Sequence, residues 1–225
     1  APLFHLVELL VEARRNAPNH HTRCGKRVAQ VLHEAPHAAG QHKHVAGLNV
    51  VGAGKHQDLL GRRAQQLASE HGFLVIEDTR NESETAAIET ATRWAGQNGY
   101  DTTIVVPADI PLIAADELHR VLDAAPTKGA VFVPAYDRRG SNCILRRPAA
   151  IIPLRFGNDS FLPHCEAMKK TGKELIIVDM PGIGLDIDNP HELEMLVRRD
   201  GDTNAQRLLR SWGIGREVTA REAVV

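Results

Sequence analysis

Thr102-Thr103-Ile104-Val105-Val106-Pro107-Ala108-Asp109-Ile110-Pro111-Leu112 decides how the rest of the chain reads. Thr102 to Val106 are all β-branched, and Ile104 to Val106 are apolar without alternation, so the run predicts a strand buried on both faces. The run stops at a proline, and a carboxylate follows two positions later. In an open α/β sheet, ligands bind beyond the carboxyl ends of the strands, which places Asp109 at the expected crevice. A carboxylate there suits Mg²⁺ held partly by protein and partly by substrate phosphates. It equally suits a cap on the next helix or turn, and the local pattern leaves both readings open.

Outward from this stretch, Phe73-Leu74-Val75-Ile76, Ala130-Val131-Phe132-Val133, Asn142-Cys143-Ile144-Leu145 and Leu175-Ile176-Ile177-Val178 are short apolar runs of the same kind. Helical periodicities separate most of them. Asn81 with Glu84 reads as a cap and third-position carboxylate opening a helix through Ala86, Ile88, Ala91 and Ala95. A shorter helix is expected from Ala115 to Asp123. Another begins near Ser160, tolerating Pro163 in its first turn and ending at Lys169, Lys170 and Gly172. A last one follows Asn189-Pro190 through Leu193, Leu196 and Val197. This alternation predicts an α/β, Rossmann-like fold with a mostly parallel sheet and helices on both faces.

Three further stretches carry chemistry. Asp186 and Asp188, in Gly184-Leu185-Asp186-Ile187-Asp188-Asn189-Pro190, are two residues apart and share one face of an extended segment. They complete a metal site, or Asp188 caps the following helix and Asp186 is solvated. Arg155-Phe156-Gly157-Asn158-Asp159-Ser160-Phe161 runs a glycine turn into a helix N-terminus, an arrangement of free N–H groups and a hydroxyl that suits an anion. Asp137-Arg138-Arg139-Gly140-Ser141-Asn142 offers two guanidiniums and a hydroxyl for phosphate or carboxylate, or is an ordinary charged loop.

Together, Pro107-Ala108-Asp109-Ile110-Pro111-Leu112, Arg139-Gly140-Ser141-Asn142, Arg155 to Phe161 and Leu185-Asp186-Ile187-Asp188-Asn189-Pro190 resemble the 2-phospho-L-lactate guanylyltransferase family. The resemblance covers residues from about 73 to 197. It implies the nucleotide-diphospho-sugar transferase fold and transfer of GMP from GTP to a small phosphorylated three-carbon acid, on the way to coenzyme F(420). Family members use 2-phospho-L-lactate, phosphoenolpyruvate or 3-phospho-D-glycerate, and the sequence does not choose among them. Carried over by position, Ser141, Gly157 and Ser160 would hold the acid, with Ser141 standing where the family usually has threonine. Asp109 and Asp188, with Asp186 as a third candidate, would bind Mg²⁺, and Asp109 is the residue on which catalysis is expected to depend. The resemblance also implies a homodimer. Two rivals stay open: a non-catalytic homologue lacking the GTP loop, and an enzyme of the same fold activating a sugar phosphate.

Composition bounds these readings. With 27 basic and 28 acidic residues in 225, the chain has no nucleic-acid footprint, and no apolar run reaches the roughly 18 residues of a membrane span. Three cysteines without paired spacing make no disulfide framework, and the cytoplasm is the expected compartment.

The chain is read as one nucleotidyltransferase domain over 1–225, with an atypical segment over 1–60 and a loosely attached tail over 200–225 that is amphipathic around Leu208 to Trp212. Residues 1–57 contain no aspartate and eight of the 12 histidines, and the first isoleucine is Ile76. A change of reading frame in a GC-rich gene would produce such a shift. Leu3 to Arg15 has helical spacing, and Leu48 to Val51 is expected as a strand. The basic loop Arg23-Cys24-Gly25-Lys26-Arg27-Val28 is a weak echo of the family's triphosphate loop. Gly52-Ala53-Gly54-Lys55-His56 lacks the spacing and the Ser/Thr of a P-loop. His20, His21, Cys24, His33 and His37 are read as a solvated segment and not a zinc site, because Pro36 breaks the helix that would align them.

Overall fold

The computed structural model describes residues 7–13, 44–52, 66, 69–70, 74–78, 83–157 and 159–214. Seven strands form one sheet: β1 (Val7–Ala13), β2 (His44–Gly52), β3 (Leu74–Asp78), β4 (Thr102–Pro107), β5 (Gly129–Pro134), β6 (Ser141–Arg147) and β7 (Glu174–Ile177), in the order β3-β2-β1-β4-β6-β5-β7. Among the described residues from 83 onward, the helices are α1 (Glu84–Gln97), α2 (Ala115–Asp123), α3 (Phe161–Thr171), α4 (Pro190–Arg198) and α5 (Asn204–Ser211).

The sheet is mixed, which corrects the expectation of a mostly parallel one. β2 with β3 and β5 with β7 pair in parallel, whereas β1 is antiparallel to both β2 and β4, and β6 to both β4 and β5. For β6 the cause is the link: residues 135–140 are too few for a crossover, which takes a dozen or more, so the chain must turn back on itself. The Ala135 N–H closes that turn on the Gly140 carbonyl at 3.0 Å. The helical spacing of Leu3 to Arg15 also misleads, because Val7–Ala13 is a strand whose backbone pairs on both edges, with Leu9 opposite Leu48 and Val105. The expected strand at Leu48 to Val51 lies within β2.

Side chains alternate across the central strands as a two-sided sheet demands. Val105, Ala130, Phe132 and Ile144 pack with Ile88, Ala91 and Ala95 of α1 and with Phe161, Cys165 and Met168 of α3. Ile104, Val106, Val131, Val133, Cys143 and Leu145 face the other way, against Val121 of α2 and the segment carrying Met180 and Ile183. Burial pushes the Cys143 thiol up to about 12, so it behaves as a small apolar side chain. Cys143 and Cys165 are both free.

Helix ends follow local chemistry. Ser83, and not Asn81, caps α1, its Oγ accepting from the Ala86 N–H at 3.1 Å. Asn189 and Glu192 form a reciprocal capping box with Pro190 at the first position of α4, and Gly172 ends α3 in the left-handed region. In the segment read as a tail, α5 docks Leu209 against Leu185 and Leu196, and the Gln206 amide donates to the Leu196 and Arg199 carbonyls at 3.2 and 2.9 Å. The basic loop at 23–28, the histidines between 20 and 37, Cys24 and residues 215–225 lie outside the described residues. Among the described residues, no helix is long and apolar enough to cross a membrane.

Candidate functional site

The antiparallel course of β6 brings its beginning to the same sheet end as the carboxyl ends of β4 and β5. Ser141 and Asn142, at the start of β6, therefore lie at the sheet end where β4 runs out toward Asp109, although these segments are far apart in sequence. A third segment, 182–188, is tied across this end. The Ile187 N–H donates to the Asp109 carbonyl at 3.1 Å, and the Tyr136 N–H to the Gly184 carbonyl at 2.8 Å. The Asn142 amide donates to the Ile183 carbonyl and to Asp186 Oδ1, both at 3.0 Å.

Glu117 anchors the far side of this segment. Its buried carboxylate accepts from the Gly182 and Ile183 N–H groups, each at 2.8 Å. A Cβ at Gly182 would collide with the Leu112 carbonyl and with that carboxylate, so glycine is needed for the close approach.

The three candidate metal carboxylates thus lie on two segments bonded to each other. Asp109 and Asp186 are half-buried and Asp188 is exposed. Burial holds the Asp186 carboxyl above the ordinary aspartate range, a shift that the Asn142 amide partly opposes. Asp188 does not cap α4, since Asn189 does, and Asp186 is bonded rather than freely solvated; the bland alternatives for this pair fail. Among the described residues, no group of three or more His, Cys, Asp or Glu side chains gathers as a metal cage. Mg²⁺ commonly takes only one or two carboxylates and completes its shell with water and phosphate oxygens, so this hard-oxygen donor set suits it.

At the same sheet end, α3 begins against β6. The Ser141 N–H donates to Ser160 Oγ at 3.2 Å, and the Phe161 N–H to the Arg139 carbonyl at 2.9 Å. Ser160 makes no capping bond with its side chain, which corrects nothing in its predicted place at the head of α3 but gives its oxygen a different partner. His164, one turn on, bonds Ser141 Oγ through Nδ1 at 3.0 Å and accepts from the Arg155 N–H at Nε2, also at 3.0 Å. The Phe156 N–H donates to Thr85 Oγ1 of α1 at 3.1 Å. These bonds fix both ends of the turn containing Gly157. At φ +121°, Gly157 has a backbone that L side chains rarely adopt, and nothing lies within 4 Å of where its Cβ would be. The turn opens onto free space.

The guanidiniums are committed to exposed ion pairs: Arg138 with Asp179 at 2.8 Å and Arg139 with Asp159 at 2.6 Å. The Arg139 bond holds the Asp159 carboxyl below its ordinary range. The two candidate groups, carboxylates and anion turn, are therefore both at one sheet end. Glu117 and His164 went unnoticed in the sequence, although each is a titratable residue on the apolar face of a helix.

Comparison with known proteins bears on the family and the fold. The model of the family described as "Guanylyl transferase CofC like" matches residues 42–224, which includes Leu48 to Val51. A 3-phospho-D-glycerate guanylyltransferase from Colwellia psychrerythraea is 33% identical over 49% of this chain and 52% of its own length. A phosphoenolpyruvate guanylyltransferase from Roseiflexus castenholzii is 30% identical over 66% of this chain and 68% of its own. A 2-phospho-L-lactate guanylyltransferase from Methanothermobacter thermautotrophicus is 29% identical over 62% and 61% respectively. The chain thus spans between about half and two thirds of these curated relatives. A crystal structure titled as a putative nucleotide-diphospho-sugar transferase, from Desulfovibrio desulfuricans, superposes with a TM-score of 0.56 at 20% identity, covering 72% of each chain. That likeness supports the fold.

Proposed function

Since the chain belongs to the CofC-like guanylyltransferase family, we propose that it transfers GMP from GTP to a small phosphorylated three-carbon acid with release of pyrophosphate. The observation that carries this reading is one sheet end furnished with two unlike halves. Carboxylates on bonded segments occupy one, and hydroxyls with an open glycine turn occupy the other. Relatives named for 3-phospho-D-glycerate, phosphoenolpyruvate and 2-phospho-L-lactate all support an acid of this class, and the coenzyme F(420) pathway is the setting that the family resemblance suggests.

In this mechanism an oxygen of the acceptor phosphate forms a bond to the α-phosphorus of GTP, and the bond from that phosphorus to the bridging oxygen of pyrophosphate breaks. The acceptor phosphate is already a competent nucleophile, so alignment and charge neutralisation matter more than a general base. Ser141 and Ser160 hydroxyls and the Gly157 backbone hold the acid. Asp109 and Asp188, with Asp186, would hold Mg²⁺, which when bound supplies charge neutralisation to phosphate oxygens. Asp186 is steadied by Asn142, and the segment bearing it by Glu117. The enzyme works as a soluble cytoplasmic protein on small molecules in this reading.

The test is incubation of the purified chain with GTP and Mg²⁺ and each of the three acids, following pyrophosphate. Release that depends on one acid, with formation of the corresponding guanylylated product, is expected. Absence of release with all three, from a folded protein, rejects the reaction and favours the non-catalytic reading.

A further inference from the structure

We infer that His164 is a positioning residue for the acceptor subsite: its neutral ring, protonated on Nδ1, donates to the Ser141 hydroxyl and obliges that hydroxyl to donate its own proton outward, to an anionic group. The inference deepens the proposed function, because it rests on Ser141 touching the acid.

The tautomer follows from the partners. The backbone N–H of Arg155 can only donate, and it lies 3.0 Å from Nε2, so Nε2 must present a lone pair. A neutral imidazole then carries its one proton on Nδ1. The cationic ring, with protons on both nitrogens, would set an N–H against the Arg155 N–H. The surroundings also oppose a cation. His164 is 2% exposed, its ring meets the rings of Phe132 and Phe156 at centroid distances of 6.1 and 5.8 Å, and the charged groups facing it are the guanidiniums of Arg146 and Arg155. Burial first, and those two cations second, hold the imidazole down at about 4.

With Nδ1–H as donor, Ser141 Oγ at 3.0 Å is the acceptor. Ser160 Oγ is treated in parallel, accepting the Ser141 N–H at 3.2 Å. Each hydroxyl has thus accepted an N–H and keeps its own proton to give. Three residues before Ser160, the Gly157 turn is open. A pair of hydroxyls with committed acceptors and available protons recognises an oxyanion, and donors oriented beforehand lose less freedom when it binds. Nothing in Ser141 itself would set this direction, since a hydroxyl serves equally as donor or acceptor.

Two measurements on the full chain test the inference. In ¹⁵N-labelled protein at pH 7, long-range proton–nitrogen correlation of the imidazoles, assigned by the signal lost in His164→Phe, should show Nδ1 protonated and Nε2 bare. The Nε2–H tautomer or an imidazolium would overturn the inference. Calorimetric binding of phosphoenolpyruvate and of GTP then separates positioning from mere packing.

His164→Phe keeps a buried ring without a donor and should weaken phosphoenolpyruvate binding roughly tenfold while leaving GTP binding unchanged. His164→Asn, which keeps an N–H donor near the Nδ1 position, should restore binding to within about threefold of native. Equal losses for both ligands, no loss in His164→Phe, or no rescue by asparagine would each reject a positioning role. If His164→Phe does not fold, the signal lost in His164→Asn assigns the native tautomer instead, and an asparagine variant that binds phosphoenolpyruvate more than about threefold more weakly than native rejects the role. A native chain that shows the Nδ1–H tautomer and binds phosphoenolpyruvate but releases no pyrophosphate would sink the proposed reaction and leave this inference standing.

Discussion

On the β6 side of the crevice Ser141, Ser160 and His164 are 3%, 3% and 2% exposed, whereas on the β4 side Asp109 and Asp186 are half-buried and Asp188 is exposed. The first group is tied together by side-chain hydrogen bonds, His164 to Ser141 and Ser160 to the Ser141 backbone. The second is held partly through its backbone, by Ile187 on Asp109 and by Glu117 on the 182–183 amides, and partly by the Asn142 amide on Asp186. Under the proposed reaction, the difference matches what each side would do. A subsite that distinguishes one small acid from another profits from fixed donors, while carboxylates that share a cation with an arriving triphosphate need some access from outside. It follows that damage on the β4 side should strike the chemistry and spare the fold, and damage on the β6 side should strike both.

Asp109→Asn is the sharpest way to break this contrast and carries the largest expected effect. Loss of one carboxylate charge beside the reacting phosphates should lower turnover roughly 10³-fold, equivalent to about 4 kcal/mol of barrier. Its thermal midpoint should stay within about 2 °C of native, because asparagine keeps the size of the side chain and one of its oxygens. Pyrophosphate release and a melting curve on the same sample check both halves. A variant that turns over at near-native rate removes Asp109 from the mechanism, and one that melts much lower removes the distinction between the two sides.

How far the sequence revealed these sides depends on the range over which each interaction acts. Strand positions, the αL stop at Gly172 and the Asn189–Glu192 box were legible because periodicity and caps are encoded within a few residues. Strand direction was not. An apolar run reads alike in either sense, and only the shortness of residues 135–140 reveals that β6 turns back. Asp109, Asp186 and Asp188 were legible as candidates from their place after strand-like or extended runs, but their adjacency depends on the Ile187–Asp109 bond between distant segments. Glu117 bonds amides 65 and 66 residues away, and His164 bonds a serine 23 residues back. Such groups are visible locally only as a charged or titratable residue on an apolar helix face, a pattern that names no partner.

The next prediction turns on pH, where the two sides should respond with opposite sign. His164 is held near 4 in the folded chain against an ordinary value near 6.5, so the unfolded chain binds more protons between those limits. Its contribution is fully present above about pH 6.5 and is lost as pH falls through about 4, amounting to up to about 3 kcal/mol. Asp186 is shifted upward, so its neutral form is favoured in the fold and its contribution is present at low pH and lost as pH rises through the raised value. Urea unfolding midpoints at pH 7, 5.5 and 4.5 should therefore fall with acid in the native chain, and His164→Phe should flatten that fall while Asp186→Asn steepens it. A His164→Phe chain as acid-sensitive as the native one would show that the buried side does not carry this pH dependence.

The smallest effect expected is that of Gly157→Ala, and it probes a place where the buried side meets solvent. At φ +121° alanine is strained even though nothing lies within 4 Å of its Cβ, so the cost arises from the backbone and not from a collision. A loss of about 1–2 kcal/mol in stability is expected if the turn keeps its shape. The bonds from Phe156 to Thr85 and from Arg155 to His164 resist relaxation on one side, and the seat of Ser160 on Ser141 resists it on the other. Because the methyl group would project into the space proposed for the acid, phosphoenolpyruvate should bind roughly tenfold more weakly while GTP binds as before. Stability lost with phosphoenolpyruvate affinity intact would mean that the open space beside Gly157 is not where the acid sits, and would leave Ser141 and Ser160 to hold it from their own side.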